Sequence, residues 1–349
     1  VNFNGGSVNV SNQVAETWRF FKVEVPADAL GWNLRLINVT SGDPEMVVRR
    51  DQLPESLSGT DSRWYERTTW TSGSSVRGHA GFTDRSYNAD GSVNESGRYL
   101  TIGMGSKLEP GTYYVGVTNG SGSESMSYTL SSRGIGEGND SSANPWQIPV
   151  EPLAFSGGSV SKTDLAPRDL AVYKVTVPAA TDGWSLKLEP TQGEAMMAIS
   201  YLNIPNSRAG SIYNVSVESA QSDAISGGAE RQTDGNEYFY KYRTSSGDNE
   251  LSIQAGDYYV MVGSEGQNPT ASNRIGTGSV NFTLTSIGEM PIADKTPTPL
   301  DLENPVSWTG QTLDEEEQKV YRFRVSEGIS NLEVRLNNRV GNPYMAIYS

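Results

Sequence analysis

A chain of 349 residues that carries a formal charge of −14 and no cysteine has no disulfide, thiolate metal site or cysteine nucleophile. The length exceeds what one hydrophobic core usually serves, so two or more domains are expected. The acidity, with no basic cluster to meet a phosphate backbone, argues against nucleic acid, and the sequence holds no apolar run of about 18 residues that would span a membrane as a helix.

With 37 glycines and 17 prolines in a chain that is 36 % hydrophobic, short strands and frequent turns are expected in place of long helices. The first alternating stretch is FKVEVP (21–26), where Phe21, Val23 and Val25 share one face and Lys22 and Glu24 the other. WNLRL (32–36) follows, then a turn, GDPEMVV, from Gly42. A dissimilar region (50–97) leads to GTYYVGV (111–117) and a closing YTL (128–130). The order then recurs as YKVTVP (173–178), WSLKL (184–188), GEAMMAI from Gly193, GDYYVMV (256–262) and FTL (282–284). A third front half reads YRFRVS (321–326), LEVRL (332–336) and GNPYMAI from Gly341.

Period-two alternation rich in Val, Tyr, Phe and Thr, punctuated by glycine, predicts an all-β chain of tandem antiparallel β-sandwiches with one packed and one wet face per sheet. The predicted units are repeat 1 over 1–138, repeat 2 over 153–288 and an incomplete repeat 3 over 301–349. The segments 134–152 and 288–305 read as proline-containing linkers, with Trp146 and Ile148 apolar enough to dock onto a neighbouring domain. The short third unit is expected to continue beyond Ser349 or to be completed by another chain.

This pattern resembles the bacterial pre-peptidase C-terminal (PPC) family. The shared features are the Tyr/Phe-x-Val strand, the second alternating strand, the Gly-Asp-type turn, the Gly-x-Tyr-Tyr-Val strand and the final Tyr/Phe-Thr-Leu. The resemblance implies small jelly-roll-like sandwiches of exported proteins, in accessory or adhesive service, with calcium or polymer binding in some relatives. Both repeats here are longer than the usual member by roughly their dissimilar regions. The family's turn aspartate falls on Asp43, Glu194 and Asn342, which reads as a turn cap or a single ligand of a calcium site.

The residues that carry chemistry are sparse. His79 is the only histidine, and no Gly-x-Ser-x-Gly elbow accompanies it, so a Ser-His-Asp hydrolase and the common zinc patterns lack support. Hard oxygen ligands for calcium stand at Asp84, Asn88, Asp90 and Glu95; the competing reading is a polar loop whose side chains hold turns. Trp64, Tyr65 and Trp70 are the aromatics suited to stacking on a sugar, and Tyr238, Tyr240 and Tyr242 share a strand face that is more simply a packed one. The expected function is therefore a non-catalytic, extracellular structural or adhesive array of a bacterial surface or fibre. Its partners would be a protein, a cell-surface polymer or other copies of the chain, and calcium is the one cofactor favoured. The alternative is the accessory substrate- or carbohydrate-binding region of a larger secreted hydrolase.

Overall fold

The computed structural model describes residues 1–57, 75–77, 86–87, 93–95, 98–102, 108–138, 145–181, 183–205, 229–231, 234–242, 253–267, 277–289, 293–295, 307–314, 317–323, 325 and 327–347. The chain is all-β, with no helix among the described residues. The first part contains β1 (Gly6–Gln13), β2 (Trp18–Val25), β3 (Gly31–Thr40), β4 (Pro44–Arg50), β5 (Ser75–Arg77), β6 (Ser86–Tyr87), β7 (Val93–Glu95), β8 (Arg98–Ile102), β9 (Gly111–Asn119) and β10 (Met126–Glu137). A linking strand, β11 (Ile148–Pro152), leads to β12 (Gly158–Leu165), β13 (Leu170–Val177), β14 (Gly183–Gln192), β15 (Glu194–Tyr201), β16 (Ala229–Arg231), β17 (Glu237–Tyr242), β18 (Gly256–Gly266) and β19 (Val280–Gly288). The short strands β20 (Ala293–Lys295) and β21 (Tyr321–Phe323) come last.

The repeat in the sequence is a repeat of topology. A front sheet pairs β2-β9-β4-β5 in sandwich 1 and β13-β18-β15-β16 in sandwich 2. A back sheet pairs β1-β10-β3-β8 and, correspondingly, β12-β19-β14-β17. Alternation decides which side chains meet between the sheets: Val23 and Val25, like Tyr173, Val175 and Val177, are buried, while Lys22, Glu24 and Thr176 are exposed.

Each core is organised around one tryptophan. Trp32 Nε1 donates to Ser132 Oγ at 2.9 Å, and Trp184 Nε1 donates to Ser286 Oγ at 3.0 Å. Each serine hydroxyl in turn donates to a backbone carbonyl, that of Phe3 or Phe155. The indole therefore keeps its polar atom satisfied while its rings pack on Tyr113 and Phe3, or on Tyr258 and Phe155. The pair of segments that supply these carbonyls was also legible, as Phe-x-Gly-Gly-Ser-Val at 3–8 and at 155–160, a match additional to those singled out above.

Two expectations need correction. The wet outer face expected for WNLRL is covered: Asn33 is 1 % and Arg35 9 % exposed, because sandwich 2 lies against them. The stretch 332–336 in the third unit forms no strand, and Leu332 and Leu336 are exposed. Its counterparts β3 and β14 bond to the closing strands β10 and β19, whereas among the described residues no strand lies beside 332–336. A strand without a ladder partner does not repay the entropy of extending it.

Candidate functional site

The described parts of the segment 134–152 pair with strands at both of its ends. β10 runs through Glu137, and its far end pairs in parallel with β11, Ile135 opposite Ile148 and Glu137 opposite Val150. The other edge of β11 pairs in parallel with β13, Val150 opposite Val172 and Pro152 opposite Lys174. One short strand thus joins the back sheet of sandwich 1 to the front sheet of sandwich 2, making a single nine-stranded sheet. β10 can bond both β1 and β11 along one edge because it is 12 residues long, with β1 taking residues up to Ser132 and β11 the remainder.

The two glycines at 134 and 136 serve packing here. A Cβ on Gly136 would lie 2.2 Å from the Trp146 ring, and one on Gly134 would lie 2.8 Å from it. The indole lies on bare backbone, in the core of sandwich 1, edge-on to Phe3. Trp146 thereby anchors the entry to β11. On the far side, Ile135, Ile148, Val150, Leu170, Val172 and Met261 belong to a third apolar cluster, separate from the two sandwich cores. Burial of Ile148 and Val150 contributes about 1.5–3 kcal/mol each.

A polar clamp closes the same seam. Asp169 Oδ1, in the turn before β13, accepts from Arg133 Nη1 at 2.8 Å and from Arg35 Nη2 at 3.2 Å. Arg35 also donates to the Arg168 carbonyl, and Asn33 Oδ1 accepts from Arg35 Nε at 2.9 Å and from Arg133 Nη2 at 2.7 Å. Nearby, Lys174 Nζ donates to Glu137 Oε1 at 2.7 Å, and Leu30 N donates to Ile135 O at 2.9 Å. Burial pushes the Asp169 carboxyl upward, but the two guanidiniums outweigh it and hold the group below its ordinary 3.8.

A depressed carboxylate stabilises the folded contact above its unfolded pKa and loses that contribution as pH falls through the folded one. The seam is therefore expected to be intact at pH 7 and to loosen below about pH 4. Small-angle scattering through an acid titration reads this as a rise in radius of gyration. Asp169→Asn is expected to show the looser state already at neutral pH and to lose the acid response, at a cost of about 1–3 kcal/mol for a partly exposed clamp.

The second seam uses corresponding surfaces with different chemistry. Tyr238 and Tyr240, on the outer face of the back sheet of sandwich 2, stack with centroids 6.0 Å apart and an interplanar angle of 5°. Tyr238 Oη donates to Asp314 Oδ2 at 2.9 Å, Tyr240 Oη accepts from Gln318 N at 3.0 Å, and Val320 packs on the pair. Gln318 and Val320 stand at the repeat positions of Leu170 and Val172. Tyr238 and Tyr240 are thus covered, and the side chain of Tyr242 lies outside the described residues.

The turn residues are placed as follows. Asp43 N donates to Asn119 Oδ1 at 3.0 Å, and the Asp43 carbonyl accepts from Gly120 N at 2.7 Å. Glu194 Oε2 accepts from Gly235 N at 2.8 Å, and Asn342 is exposed. The preceding glycines Gly42, Gly193 and Gly341 share φ of +76°, +75° and +80°, so the turn geometry recurs in all three units. Asp84, Asn88, Asp90, Trp64, Tyr65, Trp70 and His79 lie outside the described residues, as does the side chain of Glu95 in β7. Among the described residues no group of three or more acidic or histidine side chains is placed to hold a metal ion.

No protein-family model matches the chain, and no curated protein does. Solved structures that overlap it include tripeptidyl peptidase 2, at 10 % identity and a TM-score of 0.21, covering 82 % of this chain and 24 % of that one. The chain thus spans about a quarter of that protein's length. Others are the CUB1-EGF-CUB2 region of human MASP-1/3 (6 % identity, 80 % and 98 % coverage, TM-score 0.18) and the STIV MCP (10 %, 74 % and 95 %, TM-score 0.19). Likeness at this level decides neither family nor function.

Proposed function

We propose that the chain is a non-catalytic, extracellular structural or adhesive segment, a stiff array of β-sandwiches belonging to a bacterial surface or fibre assembly. The observation that carries this reading is the sheet that runs without interruption from one sandwich into the next through β11. A tether of flexible coil would let two domains sample many orientations; a strand hydrogen-bonded on both edges holds them in one. The apolar cluster and the arginine clamp around it add direction-specific contacts to the same seam. A fixed orientation between neighbouring sandwiches is what a spacer or fibre component supplies, and acidity favours solubility. The sequence resemblance to the PPC family supports export, and calcium at Asp84, Asn88, Asp90 and Glu95 and a surface polymer or protein partner belong to the same proposal.

The test is a distance distribution between spin labels placed on exposed positions of the two sandwiches, such as Ser11 and Ser161. A single narrow distribution, unchanged by cosolvent, is the expected result. A broad distribution would sink the array reading and leave the two sandwiches as independently tethered modules, the arrangement an accessory binding region of a hydrolase requires.

A further inference from the structure

The turn ahead of each front strand is one turn used three times. Thr17 N donates to the Val14 carbonyl at 3.3 Å, Asp169 N to that of Ala166 at 2.9 Å, and Glu317 N to that of Asp314 at 3.1 Å. Val14, Ala166 and Asp314 share one repeat position, and Thr17, Asp169 and Glu317 another. In the second and third units a carboxylate of this turn reaches the back sheet of the sandwich before it, so the turn carries the polar part of each seam.

The polar groups have been exchanged between the two seams. At the first, Asp169 closes the turn and meets Arg133 and Arg35. At the second, Glu317 stands in the place of Asp169, and its Oε2 turns back to accept from Asp314 N at 2.8 Å. Ile287, 41 % exposed, stands in the place of Arg133. Lys187 stands in the place of Arg35, and its Nζ lies 2.7 Å from Glu189 Oε1 on its own strand. Both halves of the ion pair are thus lost together. What crosses instead is the Tyr238 hydroxyl, donating to Asp314, and the Gln318 amide, donating to Tyr240. Among the described residues no ion pair crosses the second seam, whereas Arg35, Arg133 and Lys174 all form one across the first.

Protonation acts differently on the two arrangements. A neutral carboxyl at Asp169 gives the two guanidiniums no charge to meet, so the clamp present at pH 7 is lost as the proton binds. The groups around it add to that loss or leave it unchanged. Lys174 is paired to Glu137 and Asp257, Arg168 shares the turn, and Glu265 of β18 is 1 % exposed. A neutral carboxyl at Asp314 still offers its carbonyl oxygen to the phenol. Burial holds the Tyr238 and Tyr240 hydroxyls above the ordinary 10, Tyr240 at about 12, so neither changes charge on the acid side of neutrality. Lys187 and Glu189 face these rings from β14, and Glu317 and Lys319 lie on the docked segment.

We propose that the seam between the two sandwiches is an acid-opened joint and that the seam between sandwich 2 and the third unit is indifferent to acid, so that acid bends the array at one place only. The joint gives the array a regulation and rests on the array reading.

The chain has no cysteine, so introduced cysteines carry spin labels without background. Ser11→Cys with Ser161→Cys spans the first seam and Ser161→Cys with Thr309→Cys the second, all at exposed positions. In the full chain at pH 7 both distance distributions are expected to be narrow. At about pH 3.5 the first is expected to broaden severalfold and the second to keep its width. Narrow distributions at pH 7 that both broaden in acid, or that both stay narrow, overturn the proposal and leave the array reading standing. A first distribution already broad at pH 7 removes the array reading and the proposal with it. Neutral variants at pH 7 separate the loss of one charge from general acid unfolding. Asp169→Asn is expected to broaden the first distribution, whereas Asp314→Asn is expected to leave the second narrow, because an amide oxygen accepts from a phenol as a carboxylate does. A second distribution broadened by Asp314→Asn overturns the proposal. Tyr240→Asp, which sets a carboxylate against Gln318 and Val320, is expected to open the second seam alone, and a distribution that stays narrow there overturns the part assigned to the tyrosines.

Discussion

Trp184→Ala is expected to unfold sandwich 2 while sandwich 1 keeps its structure. The indole is fully buried, with Tyr258 at 5.1 Å and Phe239 at 5.3 Å between ring centroids, and its N–H ends on Ser286. Truncation opens a cavity the size of a ring system in a core with two sheets fixed on either side, which costs about 3–5 kcal/mol. It also leaves the Ser286 hydroxyl without its donor in a site water does not reach, adding to the loss. Sandwich 1 has its own tryptophan, serine and phenylalanine carbonyl, so its core does not depend on this one. Hydrogen exchange should collapse across β12 to β19 and persist in β1, β3, β9 and β10. Uniform loss across both would mean that the seam makes the two sandwiches one cooperative unit, contrary to this expectation.

Ile148→Asp has the other large effect, and it falls on orientation more than on either core. Ile148 is 3 % exposed at the start of β11, among Ile135, Val150 and Leu170. A carboxylate there forfeits the apolar transfer energy and must be either desolvated or expelled, and expulsion takes the strand with it. The cost to the seam is about 3–5 kcal/mol, comparable with what the burial of Ile148 and Val150 together contributes. Each sandwich keeps its own core, so the thermal midpoints of the two should move little. The spin-label distance distribution between them should broaden severalfold. A narrow distribution in this variant would show that the clamp of Arg35, Arg133 and Asp169 holds the orientation without the strand.

The strands and their faces were legible because burial between two sheets writes itself into a sequence at period two. Val23, Val25, Val175 and Val177 are buried where that alternation puts them, and the recurrence of the motifs at a constant spacing announced two sandwiches of one topology. The turn glycines were legible for an equally local reason, since Gly42 and Gly193 occupy a backbone conformation that disfavours a Cβ.

The seam was decided by tertiary structure. β11 is five residues with two prolines, too short to show a period, and its partners lie on two different sheets. The clamp joins Arg35 to Asp169 across 134 positions, and nothing local marks either residue as other than a solvated charge. Gly134 and Gly136 read equally well as linker flexibility or as close packing, and only the Trp146 ring lying on them selects the second. Alternation records which side of a strand is dry within its own sandwich. Whether the other side meets water or another sandwich depends on the placement of whole domains, and Asn33 and Arg35 keep polar identities because their burial is accompanied by hydrogen bonds.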